Sequence, residues 1–344
     1  MTNTKIFTAV LVGCGGMSKA WLKAAQSMND VKVIGLVDTD ISKAKELQQQ
    51  FGLEDVLVTG DLDEALSTVR PDAVFDCTVP EAHYEITLQA LNKGCHVLGE
   101  KPMTDSLDRA QEMVKAAKQN NRTYAVIKNR RYDPNIIRYR QTVESSPIGD
   151  ITTVNADFFK GVRFGGFRAV MEHVLLRDMA IHSFDQARFI CGKEPISVYC
   201  HEWNPKGSWF KHGASAVAVF EMTDDVIFNY RGSWCAQGLP TSWQCKWRTI
   251  GTDGTAVWDG EDHIRCQYMA ASGDGKLEAC DFTPPEMPPL HYQKHAGVMR
   301  EFVDCVKDGR TPQTDCAQNL KSFAMVEAAV KSAETGKKVP IQIQ

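Results

Sequence analysis

The chain has 344 residues, which favours two domains, and its 43% hydrophobic and 24% charged residues are typical of a globular protein. Its 39 basic and 43 acidic residues give a net charge of −4 without a basic stripe, which argues against nucleic-acid binding. The apolar runs are shorter than the roughly 18–20 residues that span a bilayer, and the first residues lack a signal-peptide pattern, so no membrane partner is expected.

Short apolar runs alternate with helical patterns from residue 6 to about residue 130. Strands are predicted at residues 6–12, 31–37, 56–59, 72–79, 96–100 and 123–128. Helices are predicted between them at residues 19–28, 42–51, 61–69, 81–93 and 107–120. Strands separated by helices of this length predict right-handed βαβ units and a doubly wound parallel sheet over residues 1–130.

From residue 131 the pattern changes to one long helix, predicted over residues 172–190, and then to a block of strands. These strands lie at residues 196–203, 214–222 and 225–234, with shorter ones to about residue 270. Helices at 292–308 and 315–335 end the chain. Strands grouped in a block predict an α+β domain with an open, largely antiparallel sheet over residues 131–344.

A glycine-rich turn, Gly13-Cys14-Gly15-Gly16-Met17-Ser18, joins the first strand to the first helix, and Asp38 ends the second strand. This is the context that a dinucleotide-binding fingerprint requires, although an ordinary strand–helix turn is the alternative. Gly13 permits the tight turn, and Gly15 lets the backbone approach a pyrophosphate at the helix N-terminus. Ser18 replaces the usual Gly or Ala and is still small enough for helix–strand packing.

Asp38 is expected to accept hydrogen bonds from the adenosine ribose hydroxyls. Its carboxylate would repel a 2′-phosphate, and the next residues, Thr39, Asp40 and Ile41, supply no cation to hold one. The sequence therefore predicts NAD in preference to NADP.

Two further clusters carry reactive side chains. Gly99-Glu100-Lys101-Pro102 follows the fifth strand, at the sheet edge where ligands of doubly wound folds bind. Asp178 and His182 are four residues apart on the long helix, a spacing that places a carboxylate beside an imidazole and suits general-base chemistry. The plain alternatives are a surface lysine and an intrahelical surface pair.

Together, GCGGMS, Asp38, TVPEAH before KGCHVLGEKP, and DMAIH resemble the glucose–fructose oxidoreductase/inositol dehydrogenase (Gfo/Idh/MocA) family of NAD(P)-dependent oxidoreductases. The closing segment GRTPQTDCAQNLKSFAMVEAAVKSAETGKKVPI is also similar, so the resemblance covers nearly the whole chain. It implies an N-terminal Rossmann domain, a C-terminal α/β domain for substrate binding and oligomerisation, and an active site between them.

The resemblance also implies roles for individual residues. Lys101, Asp178 and His182 would act together in catalysis, and Lys101-Pro102 would be a cis peptide. The residues implied or predicted to contact the cofactor are Gly13, Cys14, Gly15, Gly16, Met17, Asp38, Thr39, Thr78, Pro80, His83, Glu100 and Lys101.

The expected reaction is hydride transfer between NAD and a secondary hydroxyl of a sugar, glycoside or cyclitol. His182 would take the hydroxyl proton, Asp178 would orient it, and Lys101 would stabilise the alkoxide. Candidate substrate contacts are Asn129, Arg131, Arg163, Arg168 and Trp234, each of which has a structural or surface role as its alternative. An open sheet with an apolar face also predicts a homodimer or homotetramer.

Two other functions stay open: a redox-neutral NAD-dependent glycosidase and a non-catalytic sugar or nucleotide sensor. Reduction of imine or enone-like substrates is an alternative at the level of the substrate. The 11 cysteines are odd in number and form no C-x-x-C pair, so reduced thiols, a cytoplasmic location and no metal site are expected.

Overall fold

The computed structural model describes residues 5–273 and 275–343. These residues form two compact units, one up to Tyr132 with His291–Leu320 added, the other Asp133–Leu290 with the residues from Lys321 onward. Within the described part of the chain, no helix is both long and apolar enough to cross a membrane.

The first unit contains a six-stranded sheet with helices between successive strands. Its chain order is β1 (Phe7–Val12), α1 (Ser18–Gln26), β2 (Val31–Val37), α2 (Ile41–Gln50), β3 (Leu57–Thr59), α3 (Leu62–Val69), β4 (Ala73–Asp76), α4 (Pro80–Asn92), β5 (His96–Gly99), α5 (Leu107–Gln119) and β6 (Tyr124–Val126). All pairs are parallel, in the order β3-β2-β1-β4-β5-β6, so the predicted doubly wound sheet is confirmed.

The strands of this sheet are apolar and buried, as expected for a sheet covered on both faces. Side-chain caps set the starts of several helices: Asp40 accepts a hydrogen bond from the Ser42 amide at 3.1 Å, and Asp61 accepts one from the Asp63 amide at 2.8 Å. The strand predicted over residues 72–79 ends at Asp76, because the chain turns there to begin α4 at Pro80.

The second unit contains a nine-stranded sheet. After a 3₁₀ turn at Asn129–Tyr132, the order along the rest of the chain, which includes residues 291–320 of the first unit, is α6 (Pro134–Ser145), β7 (Ile151–Phe159), α7 (Phe167–Val170), a π-helical segment (Leu175–Ala180), α8 (Ile181–Cys191), β8 (Pro195–Trp203), β9 (Ser215–Met222), β10 (Ile227–Ser233), β11 (Lys246–Gly251), β12 (Gly254–Trp258), β13 (Ile264–Ala271), β14 (Leu277–Phe282), α9 (Lys294–Asp308), α10 (Cys316–Thr335) and β15 (Val339–Pro340).

The strand order is β14-β13-β12-β11-β7-β10-β9-β8-β15, and every pair is antiparallel except β7 with β10. This confirms the largely antiparallel second sheet, in which β9 and β10 form a hairpin through residues 223–225. The sheet has one buried face and one face with exposed side chains, including Tyr199, Trp203, Val217 and Val219. Tyr199 pairs with Val219 across β8 and β9, so these apolar side chains are neighbours on the open face.

One segment departs from the expected division of the chain after residue 130. Residues 291–320, which we assigned to the second domain, belong to the first unit. The reason is that α9 buries Val298, Met299, Phe302 and Val303 in the same apolar cluster as β1, α1 and β2. A helical apolar pattern shows that a face will be buried but not which sheet will bury it.

Candidate active site

The glycine-rich turn follows β1 and leads into α1. Gly13 has a φ of +87°, and a Cβ there would lie 2.8 Å from the Cys77–Thr78 backbone, so any side chain would be excluded. A Cβ on Gly15 or Gly16 would meet nothing within 4 Å, and Met17 is exposed. The space before the N-terminus of α1 is therefore open to a ligand that approaches the backbone closely, as a pyrophosphate does.

Ser18 is fully buried, and its hydroxyl donates a hydrogen bond to the Gly15 carbonyl. The buried hydroxyl therefore has a hydrogen-bond acceptor within the turn, which explains how serine is accommodated at this position of the fingerprint.

Asp38, just after β2, is tied to this turn. Its Oδ2 accepts a hydrogen bond from the Cys14 amide at 2.7 Å, and its Oδ1 accepts one from the Asp40 amide at 2.9 Å. A carboxylate offers about four acceptor positions, so the half-buried Asp38 retains capacity for ribose hydroxyls beside the exposed Thr39. Burial, with the Asp38 charge, raises the pKa of the Cys14 thiol to about 12, so this thiol stays protonated. These residues fit a dinucleotide.

The turn after β4 lies next to the glycine turn. Asp76 is fully buried, and its Oδ1 accepts hydrogen bonds from the Thr78 amide at 3.0 Å and the Thr78 hydroxyl at 2.6 Å. Pro80 forms the first turn of α4. His83, which we predicted to line the cofactor, is only 2% exposed, and both of its ring nitrogens face backbone carbonyls.

The turn after β5 presents Lys101, which is half-buried. Glu100 is 7% exposed, and its Oε2 accepts a hydrogen bond from the Lys101 amide at 3.1 Å while its Oε1 accepts one from the Trp21 indole at 2.9 Å. The Lys101-Pro102 peptide is cis, as the resemblance implies. The Glu100 side chain therefore fixes the backbone that presents the lysine.

Two neighbours of Glu100 were not singled out from the sequence. Trp21 lies in α1, and His295 lies in α9, with its Nε2 4.0 Å from Glu100 Oε1. Burial lowers the pKa of His295, and the Glu100 charge opposes this shift. Neither has a local sequence signal, because each reaches Glu100 from a distant part of the chain.

The helix that carries Asp178 and His182 is not a continuous α-helix over residues 172–190 as predicted. Asp178 lies in the π-helical segment Leu175–Ala180, and His182 is in the first turn of α8. A π-helical turn within a helix is often found at functional sites. Asp178 is buried and His182 is half-buried.

Arg168 contacts this helix directly. Its Nε donates to Asp178 Oδ2 at 2.6 Å, and its guanidinium lies 4.6 Å from the Phe167 ring centre and 5.6 Å from that of Phe164. We predicted Arg168 as a substrate contact; in the structure it is the ion-pair partner of Asp178. The link could not be read from the sequence, because ten residues of loop and irregular helix separate the two.

Arg168 lies in the short helix α7, and exposed aromatic rings are found in this helix and in the loop from Gly161 that precedes it. Phe164 is 51% and Phe167 65% exposed, and Gly165 and Gly166 between them both have positive φ. Trp234, predicted to contact substrate, is 1% exposed because Phe164 and Phe210 cover it, at centroid distances of 5.7 Å each. Its ring supports the loop and offers no exposed face.

The other predicted substrate contacts are at separate places. Arg163 lies 4.2 Å from the Trp209 ring centre in the second unit. Asn129 and Arg131 lie in the 3₁₀ turn after β6 of the first unit, both half-buried. Among the residues described, no group of three or more His, Cys, Asp or Glu is arranged to hold a metal ion.

The sequence matches known families over both units. Residues 7–128 match the "Oxidoreductase family, NAD-binding Rossmann fold", and residues 136–257 match the "GFO/IDH/MocA C-terminal domain". Relatives include the inositol 2-dehydrogenase of Rhizobium meliloti, 29% identical over 96% of this chain and 98% of its own, and the D-glucoside 3-dehydrogenase of Escherichia coli, 27% identical over 99% of each.

A solved structure with the same fold is an oxidoreductase from Agrobacterium radiobacter in complex with NAD+, L-tartaric acid and magnesium. It has a TM-score of 0.83 and 22% identity, over 97% of this chain and 98% of its own. The two family matches cover most of the chain and agree with the fold and the glycine turn. The chain belongs to the Gfo/Idh/MocA family of oxidoreductases, with an NAD-binding Rossmann domain.

Proposed function

We propose that the protein is an NAD-dependent dehydrogenase that oxidises a secondary hydroxyl of a sugar, glycoside or cyclitol. The observation that carries this proposal is that one chain retains Lys101 on a Glu100-braced turn and the Asp178–His182 pair on an irregular helix. Relatives named inositol 2-dehydrogenase, D-glucoside 3-dehydrogenase and D-apiose dehydrogenase support the substrate class.

The preference for NAD over NADP rests on the surroundings of Asp38. Its carboxylate would repel a 2′-phosphate, and Thr39 and Asp40 add no positive charge. The nearest following cation, Lys43, lies 3.7 Å from the Asp40 carboxylate, which already offers it a counter-charge.

In the oxidative direction each residue has one task. His182 takes the hydroxyl proton, and Asp178 orients the imidazole and stabilises its protonated form. Lys101 donates a hydrogen bond to the oxygen as negative charge develops on it. Arg168 forms an ion pair with Asp178 and so helps to hold this carboxylate in place. NAD, when bound, supplies the hydride acceptor, so the secondary alcohol loses a hydride and a proton and becomes a ketone.

The proposal is tested by absorbance at 340 nm, with purified protein and NAD challenged by a panel of sugars, glycosides and inositols. A rise confined to one stereochemical set supports a dehydrogenase and locates the reacting hydroxyl. Lys101→Ala, assayed in parallel, should abolish the rise. A flat trace with cleavage of a glycoside would overturn the proposal in favour of the redox-neutral glycosidase, and a flat trace without any product would favour the sensor.

We further propose a homo-oligomer formed through the open face of the nine-stranded sheet, as a dimer or tetramer. The exposed Tyr199, Trp203, Val217 and Val219 support this, because an apolar patch on a sheet face favours burial against a second copy. Light scattering that showed only monomer would contradict it. All eleven cysteines are free and most are buried, which supports a reducing, cytoplasmic location.

A further inference from the structure

His83 lies where two turns of the first unit meet. We call residues 77–79, after β4, the Thr78 turn, and residues 100–103, after β5, the Lys101 turn. We propose that His83 is a positioning residue that joins these two turns, so that one buried ring sets both the backbone on the cofactor side and the backbone that presents Lys101. The inference rests on the proposed dehydrogenase function and assigns this side chain a role within it.

The ring is placed between two main-chain acceptors. Nδ1 lies 2.8 Å from the Pro102 carbonyl oxygen, and Nε2 lies 3.1 Å from the Thr78 carbonyl oxygen. His83 is 2% exposed, so water does not compete for either contact. Hydrogen bonds shielded in this way hold their partners more firmly than exposed ones, because an unmade bond leaves a buried polar group unsatisfied.

Asp76 contacts both the Thr78 turn and the His83 ring. Its Oδ1 accepts two hydrogen bonds from Thr78 and lies 4.0 Å from His83 Nε2, while its Oδ2 is buried without a hydrogen-bond partner. The imidazole donates to one of the two carbonyls as either neutral tautomer, and to both only when it carries two protons. Asp76 and His83 therefore form one buried polar unit that holds the Thr78 turn from two directions.

The position of the two turns gives the contact a functional meaning. Strands β4 and β5 are neighbours in the parallel sheet, so both turns lie at its carboxyl edge, where ligands of this fold bind. The Thr78 turn touches the glycine turn, since a Cβ on Gly13 would lie 2.8 Å from the Thr78 amide nitrogen. The Lys101 turn carries Lys101, the proposed hydrogen-bond donor to the alkoxide. A shift of either turn would reach the other through the His83 ring.

Two near-isosteric variants separate the two contacts. His83→Asn places an amide nitrogen near the position of Nδ1 and keeps the bond to Pro102, whereas His83→Gln places one near Nε2 and keeps the bond to Thr78. His83→Phe keeps the size of the ring and removes both bonds. The matched control is His96, at the opposite, N-terminal end of β5, where Nδ1 accepts a hydrogen bond from the Thr123 amide at 3.0 Å.

Three quantities are measured on each purified full-length variant: NADH affinity, kcat on the best substrate, and deuterium uptake of the two turns. We expect His83→Asn to weaken NADH binding roughly tenfold and to increase exchange in the Thr78 turn, with kcat less affected. His83→Gln should do the reverse, with kcat reduced roughly tenfold and exchange raised in the Lys101 turn. His83→Phe should show both losses, and His96→Gln neither.

Several outcomes would overturn the inference. One is that His83→Asn and His83→Gln give the same pattern, or that His96→Gln changes NADH affinity and kcat as much as they do. A purely structural role would lower the melting temperature without separating the two turns. Because NADH affinity and deuterium uptake are measured without substrate, the role of His83 can be tested even if the substrate panel shows no turnover. If the wild type turns over no substrate but the variants change deuterium uptake in the two turns as expected, only the proposed function is contradicted and the role of His83 stands.

Discussion

In the first unit the side chains of the candidate site are bonded to main-chain groups, whereas in the second unit the buried Asp178 is bonded to another side chain. Asp38 holds the Cys14 amide, Glu100 holds the Lys101 amide, and Asp76 holds the Thr78 amide. Asp178 instead pairs with Arg168, at the end of a loop with two glycines at positive φ. The nucleotide side is therefore preorganised by its fold, and the substrate side depends on how a loop is arranged.

This difference suggests how one fold can serve several substrates. Bonds to the backbone restrict the first unit to one ligand geometry, as an unchanging cofactor requires. A loop on the surface can change in sequence and shape without disturbing the sheet that supports it.

The largest effect should come from removing the reacting groups, one in each unit. Lys101→Ala and His182→Ala should each lower kcat roughly 10²–10⁴-fold, because alkoxide stabilisation and proton transfer contribute on that scale. Steady-state kinetics measure this, and NADH binding and the melting temperature show that the variants are folded. Turnover close to wild type in both variants would contradict the proposed roles.

Removing the carboxylate of Asp38 should change cofactor preference next most strongly. Asp38→Ala should weaken NAD binding roughly 10–100-fold, the effect of lost charge-assisted hydrogen bonds, and should narrow the gap between NAD and NADP. The ratio of kcat/KM for the two cofactors measures it. Asp61→Ala is the control: it removes the cap of α3, at a cost of about 1 kcal/mol in stability, and should leave the ratio unchanged. An unchanged ratio in Asp38→Ala would refute the assignment.

Breaking the side-chain link in the second unit should affect catalysis but not cofactor binding. Arg168→Met should lower kcat about tenfold, since Asp178 loses the partner that holds it, and NADH affinity should stay as in wild type. Arg140 is a matched control, because it also pairs with a carboxylate, Glu144, and lies over an aromatic ring, Phe189. If Arg140→Met slows turnover equally, the effect of Arg168→Met does not come from the Asp178–His182 pair.

The smallest effect is a pH dependence of stability caused by His173, which comes just before the π-helical segment that carries Asp178. The hydrogen bond to Glu202 raises the pKa of His173, and the negative charges of Glu202 and Glu334 act in the same direction. Burial and the positive charge of Arg177 oppose this rise. A raised folded-state pKa means that His173 stabilises the fold fully below its ordinary pKa of 6.5. This stabilisation is lost as pH rises through the folded-state value.

His173→Asn keeps a donor near Nδ1 and tolerates the φ of +52° found here, but it cannot carry the charge. The difference in melting temperature between wild type and this variant should therefore be largest below pH 6 and shrink toward alkaline pH. A difference that stays constant with pH would show that the contact with Glu202 acts without the proton.

Local pattern was enough to predict the parallel sheet and the glycine turn after its first strand, because apolar runs, helical repeats and clustered glycines are visible along the sequence. The catalytic role of Lys101 came from the family resemblance and stays a prediction. Local pattern could not predict that residues 291–320 would join the first unit, since a helical repeat does not name its partner. The bond of Trp21 to Glu100 and that of Arg168 to Asp178 also depend on tertiary folding. The resemblance predicts that His83 lines the cofactor, and only the structure shows that both of its ring nitrogens face backbone carbonyls.

The return of α9 to the first unit has a consequence for synthesis on the ribosome. The six strands of the nucleotide-binding sheet emerge first, yet the apolar cluster around Phe7 and Trp21 stays uncovered until Val298, Met299 and Phe302 have been made. Some 160 residues of the second unit are translated in between. Of the two units, the one whose translation begins first thus stays incomplete until α9 has been made, and a nascent chain that stops short of α9 presents an apolar surface for chaperones to shield.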